Sequence, residues 1–565
     1  MLNFLKFKNI FRRPQKNYNN GEFIIDDEES AGKRRNLFKN ISKKLKPSLL
    51  VVYAIFVFIS YYLMLVPISP FSVSFYGYII FLIAVLSAIF FIDSFSNAKS
   101  KAVCKTLNKI IVTLFLVIFI SNIYALPIFH AKKYASLLKV ENSDFAKDVA
   151  PADFSKLPVV DRSTAEKLGA RKMGEMGTLV SQYNIDLTYS QTCISGKPVR
   201  VTPLVYSNII KWFFNYKRGI PYYISIDMVT QHADLVKLEK PIKYSLSDKF
   251  QRDIIRYIRF KYPTKILGEI NFEVDEKGHP YWIAPIIKPN IGLFSGYDVK
   301  ELITVDAVTG EFMLYDINSV PDWIDRVYPS NMILKQLTDF GMYSGGFLNS
   351  FINQVGVTKP TDGYNYMTLG NDIYLYTGIT SVLSDESNIG FVFINSRTKE
   401  AKFYPVSSAE EFSVMASAAG AVQEKGYNST FPLIINVDSR PTYFMSLKDN
   451  ADLVKMYALV DAQSYQKVAV GDTVKSTLEH YRQTISDLKP SGSDSKEESV
   501  NLTVNQIEKV VIDGNTVLLI KPENSDIIYA ADINVNNRFA FLKPGDTITV
   551  KGYKNADKFT ITEAE

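Results

Sequence analysis

Three long stretches near the start of the chain carry no Asp, Glu, Lys, Arg or His, and they constrain the fold more than any other feature. They are Leu49–Pro67 (19 residues), Phe71–Ile92 (22) and Ile110–Phe129 (20). At about 1.5 Å rise per residue, each is long enough as a helix to cross a hydrocarbon core of roughly 30 Å. Three such runs in succession do not suit the buried helices of a water-soluble domain. A cleavable leader is not expected either, because 48 residues precede the first run and no small-residue cleavage site follows it. The expectation is a three-helix membrane anchor over 49–129, in contact with the lipid bilayer. An ion-coupled transport path normally needs an intramembrane ionisable group, so transport by this bundle alone is disfavoured. Ser60, Ser87, Ser121 and Asn122 are expected to serve as helix–helix contacts.

Loop charge sets the expected orientation. The first 48 residues hold 12 Lys/Arg, the loop Ile68–Pro70 holds none, and Asp93–Lys109 holds Lys99, Lys101, Lys105 and Lys109 against one Asp. The N-terminus and second loop therefore face the cytoplasm, and residues 130–565 lie outside the cell membrane. Within the basic tail 1–48, residues 2–13 space Phe4, Phe7 and Phe11 among basic residues, as on an anionic inner leaflet. The formal charge of +6 divides unevenly. Residues 1–133 contain 18 of the 64 Lys/Arg and 6 of the 58 Asp/Glu, leaving 46 basic against 52 acidic residues in the remainder. A mildly acidic body argues against nucleic acid as a partner. The two cysteines, Cys104 and Cys193, fall on opposite sides of the membrane and cannot pair. An exterior domain of this size without a disulfide fits a Gram-positive type of cell envelope.

Outside the anchor, residues 130–196 are expected to form a helical stalk (131–156) and a capped helix, Ser163–Met176, with Ser163 and Glu166 as a capping box. Two similar α+β modules follow, over 197–330 and 331–486. In the first, strands over 198–238 lead to an amphipathic helix, Ser247–Tyr262, then to a strand pair around Asp275–Gly278 and a hairpin around Ala307–Gly310. In the second, strands over 372–405 lead to a helix at Ser408–Glu424 and strands over 431–470. Corresponding elements recur at offsets of roughly 155 to 168 residues, and an amphipathic helix with short antiparallel strands reads as a sheet with one face covered. A helix near Val474–Leu488 and a polar linker (487–500) precede alternating short strands over 501–565. These suit a small barrel of the oligonucleotide/oligosaccharide-binding type, without a basic aromatic face for nucleic acid.

The helix, strand pair and hairpin Asp306-Ala-Val-Thr-Gly-Glu311 resemble the PepSY module, over about Ser247–Ile317. The corresponding Asp461-Ala-Gln-Ser-Tyr-Gln466 lacks the Thr-Gly pair. The resemblance implies an α+β fold and binding or inhibition of a partner protein outside the membrane.

No motif for chemistry emerges, and no catalytic, cofactor or metal site is expected. The histidines His130, His232, His279 and His480 form no metal-binding pair. Cys193 has no histidine near it in sequence. Asp275, Glu276, Asp372, Asp385 and Glu386 lack the spacing of a calcium loop and read as solvated loop residues. Tyr364, Tyr366, Tyr374 and Tyr376 alternate on a strand, as packing residues do. The expected function is that of a membrane-anchored extracellular binding or regulatory protein with a protein partner in the envelope. An envelope enzyme with an unrecognised site, or an accessory subunit of a larger membrane complex, is the alternative.

Overall fold

The computed structural model describes residues 47–94, 97–485 and 498–564, apart from 513–514, 524, 526, 533–535, 537–538, 540–541 and 556–557. The basic tail, with its 2–13 segment, and most of the linker lie outside the described residues. The helices Pro47–Met64, Val73–Ser94 and Ala98–Tyr124 are each long and apolar enough to cross a membrane. The third begins well before its apolar run because the preceding Lys and Ala residues are good helix formers, which a search for apolar residues passes over. Ser60 Oγ meets Tyr78 OH at 2.9 Å, and Ser87 Oγ donates to Asn108 Oδ1 at 2.8 Å. Both link neighbouring helices. Ser121 instead accepts from Leu293 N at 3.3 Å.

The chain divides into two compact units. One holds the apolar helices up to Ile120, and the other holds Pro67–Ser72 and Ser121–Glu565. In the second unit, the expected helical stalk over 131–156 does not form. Helix Pro127–Ala135 ends early, Val140–Asn142 pairs in parallel with Ala401–Phe403, and a single turn of helix follows at Phe145–Asp148. Leu138, Phe145, Val149, Leu157 and Val159 are buried in the body. The apolar residues here are irregularly spaced anchors, and their partners lie hundreds of residues away.

Four sheets follow, and each is reached in the same order. A helix leads to two short strands that pair with the same long strand, a second long strand returns, and a tight turn leads to the last strand. In the first sheet these are Arg162–Gly174, then Tyr183–Ile185, Ser190–Ile194, Lys197–Tyr206, Ile220–Asp227 and Ala233–Ile242. The second runs from Ile254–Lys261 through Ile266–Leu267, Asn271–Val274, Pro280–Ile291 and Ser295–Asp306 to Phe312–Asp316. The third runs from Ser330–Tyr343 through Thr358–Pro360, Asn365–Leu369, Asp372–Ser381 and Ser384–Asn395 to Ala401–Tyr404, with Val140–Asn142 and Ser408–Ala409 as extra strands. The fourth runs from Glu411–Gly420 through Asn428–Ser429, Leu433–Val437, Arg440–Lys448 and Val454–Asp461 to Val468–Gly471.

The last turn of each sheet is built by one side chain. Asp227 Oδ1 accepts from Val229 N and Thr230 N at 2.8 and 2.9 Å, and Asp306 Oδ1 from Val308 N and Thr309 N at 2.7 and 3.0 Å. Asn395 Oδ1 accepts from Arg397 N and Thr398 N at 2.8 and 3.0 Å, and Asp461 Oδ1 from Gln463 N and Ser464 N at 3.1 and 2.7 Å. A short acidic or amide side chain is well suited to this role, because it reaches the N–H groups two and three residues on. Three of the turns close on a left-handed residue: Gln231 (φ +61), Gly310 (+79) and Lys399 (+65). Asn replaces Asp in the third for a visible reason. Its Nδ2 donates to Asp372 Oδ2 at 2.8 Å, where a second carboxylate would repel the first.

Two expected helices differ in detail. Asp161, not Ser163, caps Arg162–Gly174, accepting from Thr164 N at 2.8 Å. The Ser247–Tyr262 helix is shortened to Ile254–Lys261, because Asp253 takes an extended conformation to cap it. At the C-terminal end, Glu498–Ile512, Asn515–Pro522, Ile528–Asp532, Thr547–Asn555 and Lys558–Ala564 close a five-stranded barrel. Its first strand pairs with both the second and the fourth, and its third and fifth run parallel. Leu502, Val504, Leu518, Ile520, Val550 and Phe559 fill the interior.

Candidate functional site at the junction of the sheets

The strand Asn271–Val274 is buried along its whole length, so the Glu273 carboxylate cannot reach water. Backbone amides satisfy it instead, Asp325 N and Arg326 N each donating at 3.0 Å. Asp325, also buried, accepts from Thr192 Oγ1 at 2.6 Å and Cys193 N at 2.7 Å. One acid thereby ties the second sheet to the segment 325–326, and the other ties that segment to the first sheet. Burial raises both carboxyls above their ordinary range, Glu273 to about 7, and the neighbouring Glu273 charge raises Asp325 further. The pair is therefore a place where a proton is retained near neutral pH.

Two guanidinium groups border this junction. Arg326 lies over the Tyr366 ring at 5.3 Å and donates to its hydroxyl at 3.3 Å. Arg200, lowered to about 10 by burial, donates to Tyr189 O at 3.3 Å and Gln191 Oε1 at 3.2 Å. Cys193 is buried, and its thiol is pushed up to about 11 by that burial, with the Asp325 charge adding to the effect. A thiol needs the opposite shift to act as a nucleophile at neutral pH. The histidines are engaged elsewhere: His279 with Asp306 at 3.0 Å, His232 with Asp234 at 3.1 Å, His480 with Val470 O at 3.0 Å, and His130 against the Tyr124 ring.

Beside the junction lies an open cleft of about 220 Å³. One side is formed by Val149–Asp153 and Lys156, the other by Met367–Gly370, with Gly196, Ile435 and Asn436 between them. Asn436 Nδ2 donates to Val149 O at 2.7 Å, and Ala152 N donates to Asn436 O at 2.8 Å, so the segment is tied to the fourth sheet at this one residue. Asn436 and Thr368 border this cleft, but their Oδ1 and Oγ1 atoms are turned away from its open space, buried and without a hydrogen-bond partner among the described residues.

The other residues singled out in the sequence are dispersed. Asp275 Oδ1 accepts from Lys277 N and His279 N of its own turn, and Glu276 Oε2 accepts from Ser195 N and Oγ. Asp372 is paired with Arg397. The side chains of Asp385 and Glu386 lie outside the described residues. Among the described residues, no group of three His, Cys, Asp or Glu side chains is placed to hold a metal. Tyr364 and Tyr366 meet edge to face at 5.6 Å beside Arg326, whereas Tyr376 is buried in a separate cluster.

That cluster went unnoticed in the sequence. Glu411 is fully buried, and its oxygens accept from Tyr376 OH at 2.9 Å and Asn388 Nδ2 at 3.1 Å. A Cβ at Gly378 would come within 2.4 Å of Glu411 Oε1, so this position requires glycine. The only sequence signal is the doubled acid at a helix start, where Glu410 caps the helix and leaves Glu411 to turn inward. Compared with known proteins, the chain matches no family model and no curated sequence.

Proposed function

We propose that this chain is a membrane-anchored binding protein of the bacterial cell envelope that holds an extended segment of a protein partner in the cleft beside the sheet junction. The observation that carries this reading is the open cleft of about 220 Å³ itself, lined by Val149–Asp153 and by Met367–Leu369 at the end of a strand. The four sheets are read as successive copies of one PepSY-like unit. Their shared order and their shared turn side chain support that reading, as does the Asp306–Glu311 hairpin. The N-terminus is assigned to the cytoplasm and the body to the outside, on the strength of loop charge.

A photo-crosslinking residue at Ala150 or Lys156, both exposed on the cleft rim, is expected to capture the same species in cells. Lys455, exposed on the fourth sheet, is expected to capture none of it, and Thr368→Trp is expected to abolish capture from the rim. Equal capture from all three sites, or none from the rim, contradicts the reading. For orientation, Lys543→Cys should react with an impermeant maleimide on whole cells while the buried Cys104 does not.

A further inference from the structure

The exterior unit carries a loop built the wrong way round for water. From Phe340 to Thr358 the chain contains no charged residue. Within that stretch, Leu348, Phe351, Ile352 and Val355 are 63, 56, 63 and 76% exposed, a density of bare apolar side chains that a water-facing loop avoids. Apart from the exposed Asn353, its polar side chains are bonded within the loop. The Asn349 carboxamide grips Val355 from both sides, Nδ2 donating to Val355 O at 2.9 Å and Oδ1 accepting from Val355 N at 3.2 Å. Ser350 Oγ donates to Phe347 O at 2.7 Å, Gln354 N to Asn349 O at 2.8 Å, and Ile352 N to Leu348 O at 3.0 Å. The Phe347 and Phe351 rings pack edge to face at 5.2 Å. Internal satisfaction of this kind is what a segment needs to enter a medium without water.

The position of the loop identifies that medium. It follows helix Ser330–Tyr343, and the Tyr343 ring lies 6.2 Å from that of Tyr134. The Tyr134 hydroxyl donates to Ala125 O at 2.7 Å, immediately after the third apolar helix ends. Leu126, Ile128 and Phe129, in the same connection, are exposed as well. The loop thus follows a helix that packs against the connection directly after the third apolar helix.

We infer that the loop Phe347–Val355 inserts into the headgroup and acyl boundary of the bilayer that the apolar helices span, as an in-plane anchor for the exterior domain. With no charge in the loop, insertion is driven by apolar partition and is insensitive to salt and to the fraction of anionic lipid.

The test uses the full chain in lipid nanodiscs, in a Cys104→Ala/Cys193→Ala background. A single cysteine replaces Leu348 or Ile352 and carries an environment-sensitive nitrobenzoxadiazole label, with Asn450→Cys as the comparison site. The inference expects blue-shifted emission at the two loop sites, quenching by spin-labelled phospholipid, and protection from aqueous iodide, all unchanged in 0.5 M salt. The label at position 450 should be quenched by iodide alone. Loop labels that iodide quenches and spin-labelled lipid does not would overturn the inference. So would blue-shifted labels that neither reagent quenches, because protein rather than lipid would then cover the loop. A Leu348→Glu/Ile352→Glu variant, labelled at Val355→Cys, should lose the lipid quenching and gain the iodide quenching.

Discussion

Two regions of the sheet-bearing unit bury aspartate in different ways. In the fourth sheet Asp461 is almost wholly buried beside Arg440, whose Nε and Nη2 both donate to Asp461 Oδ2, at 3.1 and 3.0 Å. At the junction, Asp325 leans on a hydroxyl and a backbone amide, with another buried carboxylate, Glu273, close by. A guanidinium gives the first an oppositely charged partner within hydrogen-bond reach. A hydroxyl and an amide, with a second carboxylate nearby, leave the second prone to keep its proton. The first arrangement fails when its partner is removed, and the second responds to pH.

The largest effect is therefore expected at Arg440. Arg440→Met strands the Asp461 charge, leaving it the Gln463 and Ser464 amides of its turn and Tyr481 OH at 3.4 Å. The expected cost is about 3–5 kcal/mol, read as a loss of chemical-denaturation midpoint or outright failure to fold. Asp325→Asn should behave in the opposite manner, because an amide oxygen accepts from Thr192 and Cys193 as a carboxylate does. The sign follows from the direction of the shifts. Both acids have folded-state pKa values above their ordinary ones, so the folded chain binds protons more tightly and its stability falls as pH rises. For Glu273 that fall runs from about 4.5, its unfolded value, to about 7. Asp325→Asn should gain on the parent steadily as pH rises above about 3.8, the ordinary value of the acid, and be the more stable of the two at pH 8, measured as thermal midpoints of the solubilised protein. A variant that is weaker at pH 8 would show that Asp325 is held charged after all, and the contrast with Asp461 would collapse.

The same contrast separates what was legible in the sequence from what was not. The apolar helices were legible because each signal is local and continuous. The turns at Asp306 and Asp275 were legible too, since the acid, the turn and the glycine fall within five residues. Glu273 and Asp325 are separated by 52 positions and Thr192 and Asp325 by 133. A single acid in a four-residue strand carries no periodicity. The strand at Val140–Asn142 has no local signature for the same reason, its partner being Ala401–Phe403. The division into two modules was coarse because the turn that marks each sheet changes its letters while keeping its hydrogen bonds. Asp-x-x-Thr-Gln, Asp-x-x-Thr-Gly and Asn-x-x-Thr-Lys share a geometry, and a search for the Thr-Gly pair finds only one of them.

The turn side chains occupy the middle of the scale. Asp227→Ala or Asn395→Ala removes the acceptor for two backbone amides and should cost about 1–2 kcal/mol each, seen as lowered thermal midpoints. Asn395→Asp sharpens the point. It restores the acceptor but sets a carboxylate against Asp372, so it should not recover the parent's stability. Full recovery would mean that Arg397, which donates to both Asp372 oxygens, absorbs the added charge.

The smallest effect is expected two residues from Arg440 along the same turn. Asp438 accepts from Arg482 Nε at 2.7 Å and Nη2 at 2.9 Å, a two-pronged geometry better formed than that of Arg440 with Asp461. The two side chains are 53 and 49% exposed, against 8 and 2% for the buried pair. Water competes for both partners, and neither is stranded when the other is removed. Arg482→Ala is expected to cost no more than about 0.5 kcal/mol, a loss that 0.5 M salt should erase. The pairs share residue types, and the exposed one has the better geometry, so burial is the variable that differs. A cost for Arg482→Ala approaching that of Arg440→Met would show that geometry rather than burial sets the strength of these pairs.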